Sequence, residues 1–158
     1  MKFTPWSKFD SRAELGNSLQ YPGIYSLAIS RKNLTASPFD WIPEIVYFGM
    51  TNSKAGLRGR LNAFNNTLRD KSGPGHGGAE RFLYEDKYWN DREVLAKKLY
   101  VSVAPFPCEV TSISRENLTV MGDVVRAEYL AWAEYAARHG ALPKYNDKKI
   151  SPKRPRPR

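Results

Sequence analysis

Two short apolar runs constrain this chain more than anything else in it. They are Gly23-Ile24-Tyr25-Ser26-Leu27-Ala28-Ile29 and Ile45-Val46-Tyr47-Phe48-Gly49-Met50. Both are rich in branched and aromatic residues and bounded by Pro, Gly or Asn, so each reads as a strand. The linker between them holds Asn33, Pro38 and Pro43, and a long-looped antiparallel hairpin is the simplest join. Period-two alternation puts Tyr25, Leu27 and Ile29 on one face. The second run is apolar on both faces, which predicts a sheet covered on both sides.

The rest of the chain supplies the cover. Residues 1–21 read as an arm anchored by Trp6 and Phe9, with Asp10 as N-cap of a short helix over 11–19. Leu57, Leu61, Phe64 and Leu68 form the apolar stripe of a helix over 57–70. Arg60 lies about 60° off that stripe, where it can run along the sheet surface. Ser72-Gly73-Pro74-Gly75-His76-Gly77-Gly78 is a breaker-rich loop, without the Gly-Lys-Ser/Thr of a phosphate-binding P-loop. A short helix is expected over 79–86, a loop over 89–91, and a third strand over 99–103 stopped by Pro105 and Pro107. Gly122 and Asp123 mark the start of a last helix over 124–139, with Gly140 past its end. The expected architecture is one α/β domain of the α+β type, a small three-stranded antiparallel sheet flanked by helices.

Charge narrows the partners. Among the 158 residues, 25 Lys and Arg outweigh 16 Asp and Glu, a net charge of +9. Residues 147–158 hold six of those cations against one Asp, so about five of the nine net charges sit in a tail whose composition suggests disorder. A polyanionic partner fits this balance. The single cysteine, Cys108, excludes an intrachain disulfide, and with only His76 and His139 there is no zinc-ligand cluster. The first residues lack the apolar core of a signal peptide and no run reaches membrane-spanning length. A soluble cytoplasmic protein with no membrane association is the expectation.

The ordered set Gly23-Ile24-Tyr25, Tyr47-Phe48-Gly49, Gly56-Leu57-Arg58-Gly59-Arg60-Leu61, Arg126-Ala127-Glu128 and Pro143-Lys144-Tyr145-Asn146 resembles the GIY-YIG nuclease family over residues 22–146. Phe48 stands where the family name has Ile. The resemblance implies a metal-dependent endonuclease acting on DNA and leaving a 5′-phosphate and a 3′-hydroxyl. It implies that Tyr25 and Tyr47 activate or position water, Arg60 holds the scissile phosphate, Glu128 binds Mg²⁺ or Mn²⁺, and Asn146 supports the site. Glu134 is the alternative metal ligand, closer in sequence to Pro143-x-Tyr145-Asn146. The helical wheel favours Glu128, which falls among Val124, Ala131, Trp132 and Tyr135, where an unpaired carboxylate is costly.

Some members of the family carry a Lys before the second signature or a His one turn after the arginine. Here those positions are Val46 and Phe64, and Lys54, Arg58 or His76 are the replacements at hand. Further nucleic-acid contacts are expected from Arg69 and from Lys148, Lys149, Lys153 and Arg154 in the tail. A homodimer is compatible with the pattern. The rival reading is a catalytically inactive nucleic-acid-binding module on the same fold.

Overall fold

The computed structural model describes residues 1–153. Arg154, one of the expected phosphate contacts, lies outside the described residues. The sheet holds four antiparallel strands, not three: β1 (Ser7–Lys8), β2 (Gly23–Ile29), β3 (Ile45–Thr51) and β4 (Leu99–Pro105), in the order β1-β4-β2-β3. The missed strand is two residues long, too short for any periodicity to reveal. It is held on the edge of β4 by its neighbours: Trp6 and Phe9 are 2% and 1% exposed, and Thr4 N–H bonds the carbonyl of Val103 at 2.8 Å. The arm over residues 1–21 is therefore part of the sheet and its core. Its expected helix is a 3-10 segment, Phe9–Gln20, broken at Ser11 and Gly16. Asp10 does not cap it; its carboxylate accepts from Arg69 at 2.7 Å instead.

Strand β2 is the centre. Tyr25 pairs with Gly49 on one side and Val103 on the other. The hairpin register slips between Leu27 and Ala28, where Tyr47 and Ile45 are the respective partners and Val46 is the extra residue. This bulge sends Tyr47 and Ile45 to opposite faces although they are two apart. Tyr47 joins Tyr25, Leu27, Val101 and Val103 on one face, and Ile45 joins Ile24, Ala28, Phe48 and Ala104 on the other.

Each face is covered by helix, as the apolar character of the second run requires. The first face receives α1 (Gly56–Leu68) and α2 (Gly77–Phe82), followed by α3 (Asp86–Asn90) and α4 (Arg92–Lys98). All four stripe residues of α1 are at most 3% exposed, which contributes about 2 kcal/mol each on burial. Helix α1 stops where Asp70 takes φ +54°. The expected 79–86 helix is displaced to Gly77–Phe82, because the His76 side chain caps it. Trp89 and Asn90 end α3 rather than forming a loop, and Asp91 caps α4 by accepting from Val94 N–H at 3.1 Å.

The second face receives α5 (Arg115–His139), through Val124, Ala127, Ala131 and Tyr135. This helix begins nine residues before the expected position. Ser114 accepts from Asn117 N–H as its N-cap, and Gly122 and Asp123, read from sequence as the helix start, lie in mid-helix. Gly140 closes the helix at φ +74° as expected. Among the described residues no helix is long and apolar enough to cross a membrane.

Candidate functional site

The two tyrosines of the hairpin stand on the same face because the β2–β3 register and the bulge put them there. Their ring centroids are 6.0 Å apart. Room for them comes from missing side chains. A Cβ on Gly49 would collide with the Tyr25 hydroxyl and lie 2.8 Å from a Tyr47 ring carbon. A Cβ on Gly78 would lie 2.5 Å from the Tyr47 hydroxyl. The glycine of the second signature is thus a steric requirement of the tyrosine pair.

Behind the pair sits His76. It was expected in a solvated loop as a nucleic-acid contact; it is 1% exposed. Its Nδ1 accepts the backbone N–H groups of Gly78 at 3.0 Å and Ala79 at 3.3 Å. That fixes the tautomer: Nδ1 is unprotonated, so the ring proton is on Nε2. Nε2 lies 2.7 Å from the Tyr25 hydroxyl, and therefore donates to it. Burial first, and the nearby Arg60 cation second, lower the His76 pKa to about 3, so the ring stays neutral. The only sequence signal for this was a lone histidine just before a helix start, in a stretch whose glycines suggested mobility.

Tyr25 is completely buried, and burial followed by Tyr47 holds its pKa well above 10. Tyr47 is raised in the same direction, by burial and then by Glu128, while the charge of Arg60 opposes the rise. The bonds run in one direction, from the backbone through His76 to Tyr25, and Tyr47 meets that pair by ring contact. Tyr47 is the member that reaches open space.

That space is a cleft of about 390 Å³ bordered by Tyr47, Arg60, Gly77, Gly78, Arg81, Glu128, Trp132, Tyr145, Asn146, Lys148 and Lys153. Helix α1 delivers Arg60 beside its apolar stripe, and α5 delivers Glu128 and Trp132 one turn apart. Glu128 is the only carboxylate in that lining. Burial raises its pKa to about 7 against the pull of Arg60. The Nε of Arg60 and the Nε1 of Trp132 are buried with no hydrogen-bond partner.

Other expected residues are placed elsewhere. Glu134 is paired with Arg138 at 2.6 Å, one turn along α5. Arg69 is held by Asp10, Glu93 and Asn65, a structural clamp that occupies the guanidinium expected to contact phosphate. Arg58 lines a separate hollow with Arg12 and Asn62. Lys54 is exposed before α1, and Lys149 is exposed in the tail. Asn146 borders the cleft, but both its amide atoms are engaged by Phe48: Oδ1 accepts from the backbone N–H at 2.8 Å and Nδ2 donates to the carbonyl at 2.8 Å. With Tyr145 N–H bonding the carbonyl of Val46, the segment covers the free edge of β3.

Residues 147–153 were expected as part of a disordered tail. They fold back on the cleft instead: Arg81 donates to the Ser151 carbonyl at 3.0 Å and Ser151 is 1% exposed. Arg81 and Trp132, which sequence reasoning missed, carry no motif and enter the cleft only through this packing.

The donor set decides which metal could fit. No group of three or more His, Cys, Asp and Glu side chains lies together among the described residues. A lone carboxylate does not make a zinc site. It does suit Mg²⁺, which retains several waters and is completed by substrate phosphate oxygens. No family model, curated protein or solved structure matches this chain.

Proposed function

We propose that this chain is a GIY-YIG-type endonuclease that hydrolyses DNA phosphodiester bonds with a divalent metal, Mg²⁺ or Mn²⁺. The observation that carries the reading is the convergence of Tyr47, Arg60 and Glu128 on one cleft, with the His76–Tyr25 pair behind it. Four cations, Arg60, Arg81, Lys148 and Lys153, border that cleft with one carboxylate. Such a balance selects an anionic ligand.

The chain's own groups divide the work. Arg60, through its guanidinium at the cleft, binds a nonbridging phosphate oxygen and stabilises the charge that grows there as the water oxygen bonds to phosphorus. Tyr47 orients that water. Of the two tyrosines, only Tyr47 borders the cleft; burial and then Glu128 keep the proton on its oxygen, against the pull of Arg60, so it acts as a neutral hydroxyl that holds the water. His76 and Tyr25 hold it in place. The attacking water gives a proton to solvent as its oxygen bonds to phosphorus, the bond between phosphorus and the 3′ oxygen breaks to leave a 5′-phosphate, and the departing oxygen takes a proton from solvent to become a 3′-hydroxyl. Glu128 would hold the metal, which supplies Lewis-acid stabilisation of the phosphate and leaving oxygen when bound. With the metal in place Glu128 is ionised; without it, near neutral pH, the carboxyl is close to half protonated.

Supercoiled plasmid incubated with purified protein and Mg²⁺ tests the reading, beside EDTA and Glu128→Ala controls. Metal-dependent nicking or linearisation, abolished in the variant, is the expected result. Binding without cleavage under any divalent metal, on DNA and RNA alike, would replace the enzyme with an inactive nucleic-acid-binding module.

A further inference from the structure

Helix α5 carries a second apolar stripe that lies mostly outside the core, its last member Trp132 packing partly against the second cluster. Leu118, Val125 and Tyr129 are 51%, 43% and 61% exposed. With Trp132 they form a stripe at helical spacing. From Leu118 to Trp132 it runs for about 20 Å along the axis. The stripe ends at the cleft: Trp132 borders it, one turn from Glu128. Tyr129 meets the Trp132 ring edge-on, with centroids 4.9 Å apart at 61°. The indole N–H of Trp132 is buried without a hydrogen-bond partner. An aromatic pair thus stands at the mouth of a cleft bordered by four cations.

Resting on the reading of the cleft as a phosphodiester site, we propose that Tyr129 and Trp132 are a base-stacking platform and that the favoured substrate has unpaired nucleotides beside the scissile phosphate. Two observations combine here. The exposed Tyr129 ring, backed by the half-buried Trp132, offers stacking to a base that has left its partner, which a base inside a duplex cannot accept. Cations next to the rings track the backbone of the same strand. A rigid duplex brings phosphates to the cleft but keeps its bases stacked on each other, leaving the platform unused.

The same stripe could in principle seat a second copy of the chain. Charge argues against it. A copy docked on Tyr129 and Trp132 would bring another set of Arg60, Arg81, Lys148 and Lys153 close to the first. A polyanion complements that set; an identical cationic cleft repels it.

The test measures binding in EDTA, so that it does not depend on cleavage. The probes are a labelled oligothymidylate of about 16 nucleotides and a blunt duplex of equal length, read by fluorescence anisotropy and by tryptophan quenching. The single strand is expected to bind about tenfold more tightly than the duplex and to quench tryptophan emission. Tyr129→Ala, at an exposed position that leaves the core intact, is expected to weaken single-strand binding about tenfold while leaving duplex binding unchanged. Equal or tighter duplex binding, or equal losses for both probes, overturns the proposal. So does a dimer in sedimentation that Tyr129→Ala dissociates. Preferential single-strand binding without metal-dependent cleavage of either form leaves the platform standing and refutes the nuclease reading alone.

Discussion

Glu128→Gln separates a buried carboxylate from a merely convenient one. The wild-type group titrates at about 7, against 4.5 for an unburied glutamate, because burial disfavours its charge more than Arg60 restores it. In the unfolded chain the carboxyl ionises near 4.5, so below that pH it is neutral in both states and costs nothing. As pH rises from 4.5 to 7 the unfolded state ionises first and the folded state loses stability; above 7 the loss is complete. Unscreened, the rise in pKa corresponds to about 3 kcal/mol. The side chain opens onto the cleft, and solvent screening reduces this to about 2 kcal/mol.

Glutamine keeps the shape and removes the titration. Urea unfolding in EDTA is expected to give equal stabilities at about pH 4.5 and a Glu128→Gln variant about 2 kcal/mol more stable at about pH 8.5. For a chain of this size that is about 6 °C in Tm. Mg²⁺ at about pH 8.5 should close the gap by stabilising only the wild type, since ligand that binds the folded state adds to its stability. Parallel pH profiles, or a wild type more stable than the variant in alkaline EDTA, would refute the reasoning and make Glu128 a satisfied partner of Arg60.

Three further perturbations probe the tyrosine pair and its support. His76→Ala removes the acceptor of two backbone N–H groups and the donor to Tyr25, and should cost about 2–3 kcal/mol in denaturant unfolding. Because folded His76 titrates at about 3 and the free side chain near 6.5, the wild type loses stability as pH falls below 6.5, and the variant's acid limb should be shallower. Gly49→Ala forces Tyr25 and Tyr47 off their positions; a loss of about 1–3 kcal/mol is expected, together with a changed tyrosine absorbance titration. Arg60→Lys keeps the charge but loses the planar fork, and cleavage is expected to fall by about a hundredfold with little change in Tm.

Much of the architecture was legible because burial writes itself as period. The two central strands, the α1 stripe and the C-terminal half of α5 all follow from spacing of apolar residues. Tyr47, Arg60 and Glu128 meet because the sheet and two helices leave few ways to place them, and the sequence already carried their order. What stayed hidden depended on side chains with no period. The two-residue strand β1 is held by Trp6 and Phe9 rather than by its own pattern. The start of α5 is set by Ser114, while Gly122 and Asp123 gave a misleading start nine residues later. His76 was masked by four glycines, two of which, Gly77 and Gly78, begin the helix it caps. Arg69 was read as free because its partners, Asp10 and Glu93, lie 59 and 24 residues away.

The clasp of Asn146 on Phe48 sets an order of events during synthesis. The two residues are 98 positions apart, so β3 emerges from the ribosome long before its edge is covered. Until Tyr145 and Asn146 follow, the nascent chain exposes a sheet edge open to stray pairing, and its cleft lacks a wall. The cleft is completed only once Asn146, Lys148 and Lys153 have followed. A nick in the exposed stretch just after His139 would return the mature protein to that unfinished state, making the segment after α5 a point at which one proteolytic cut disables the site while the rest of the sheet stays folded.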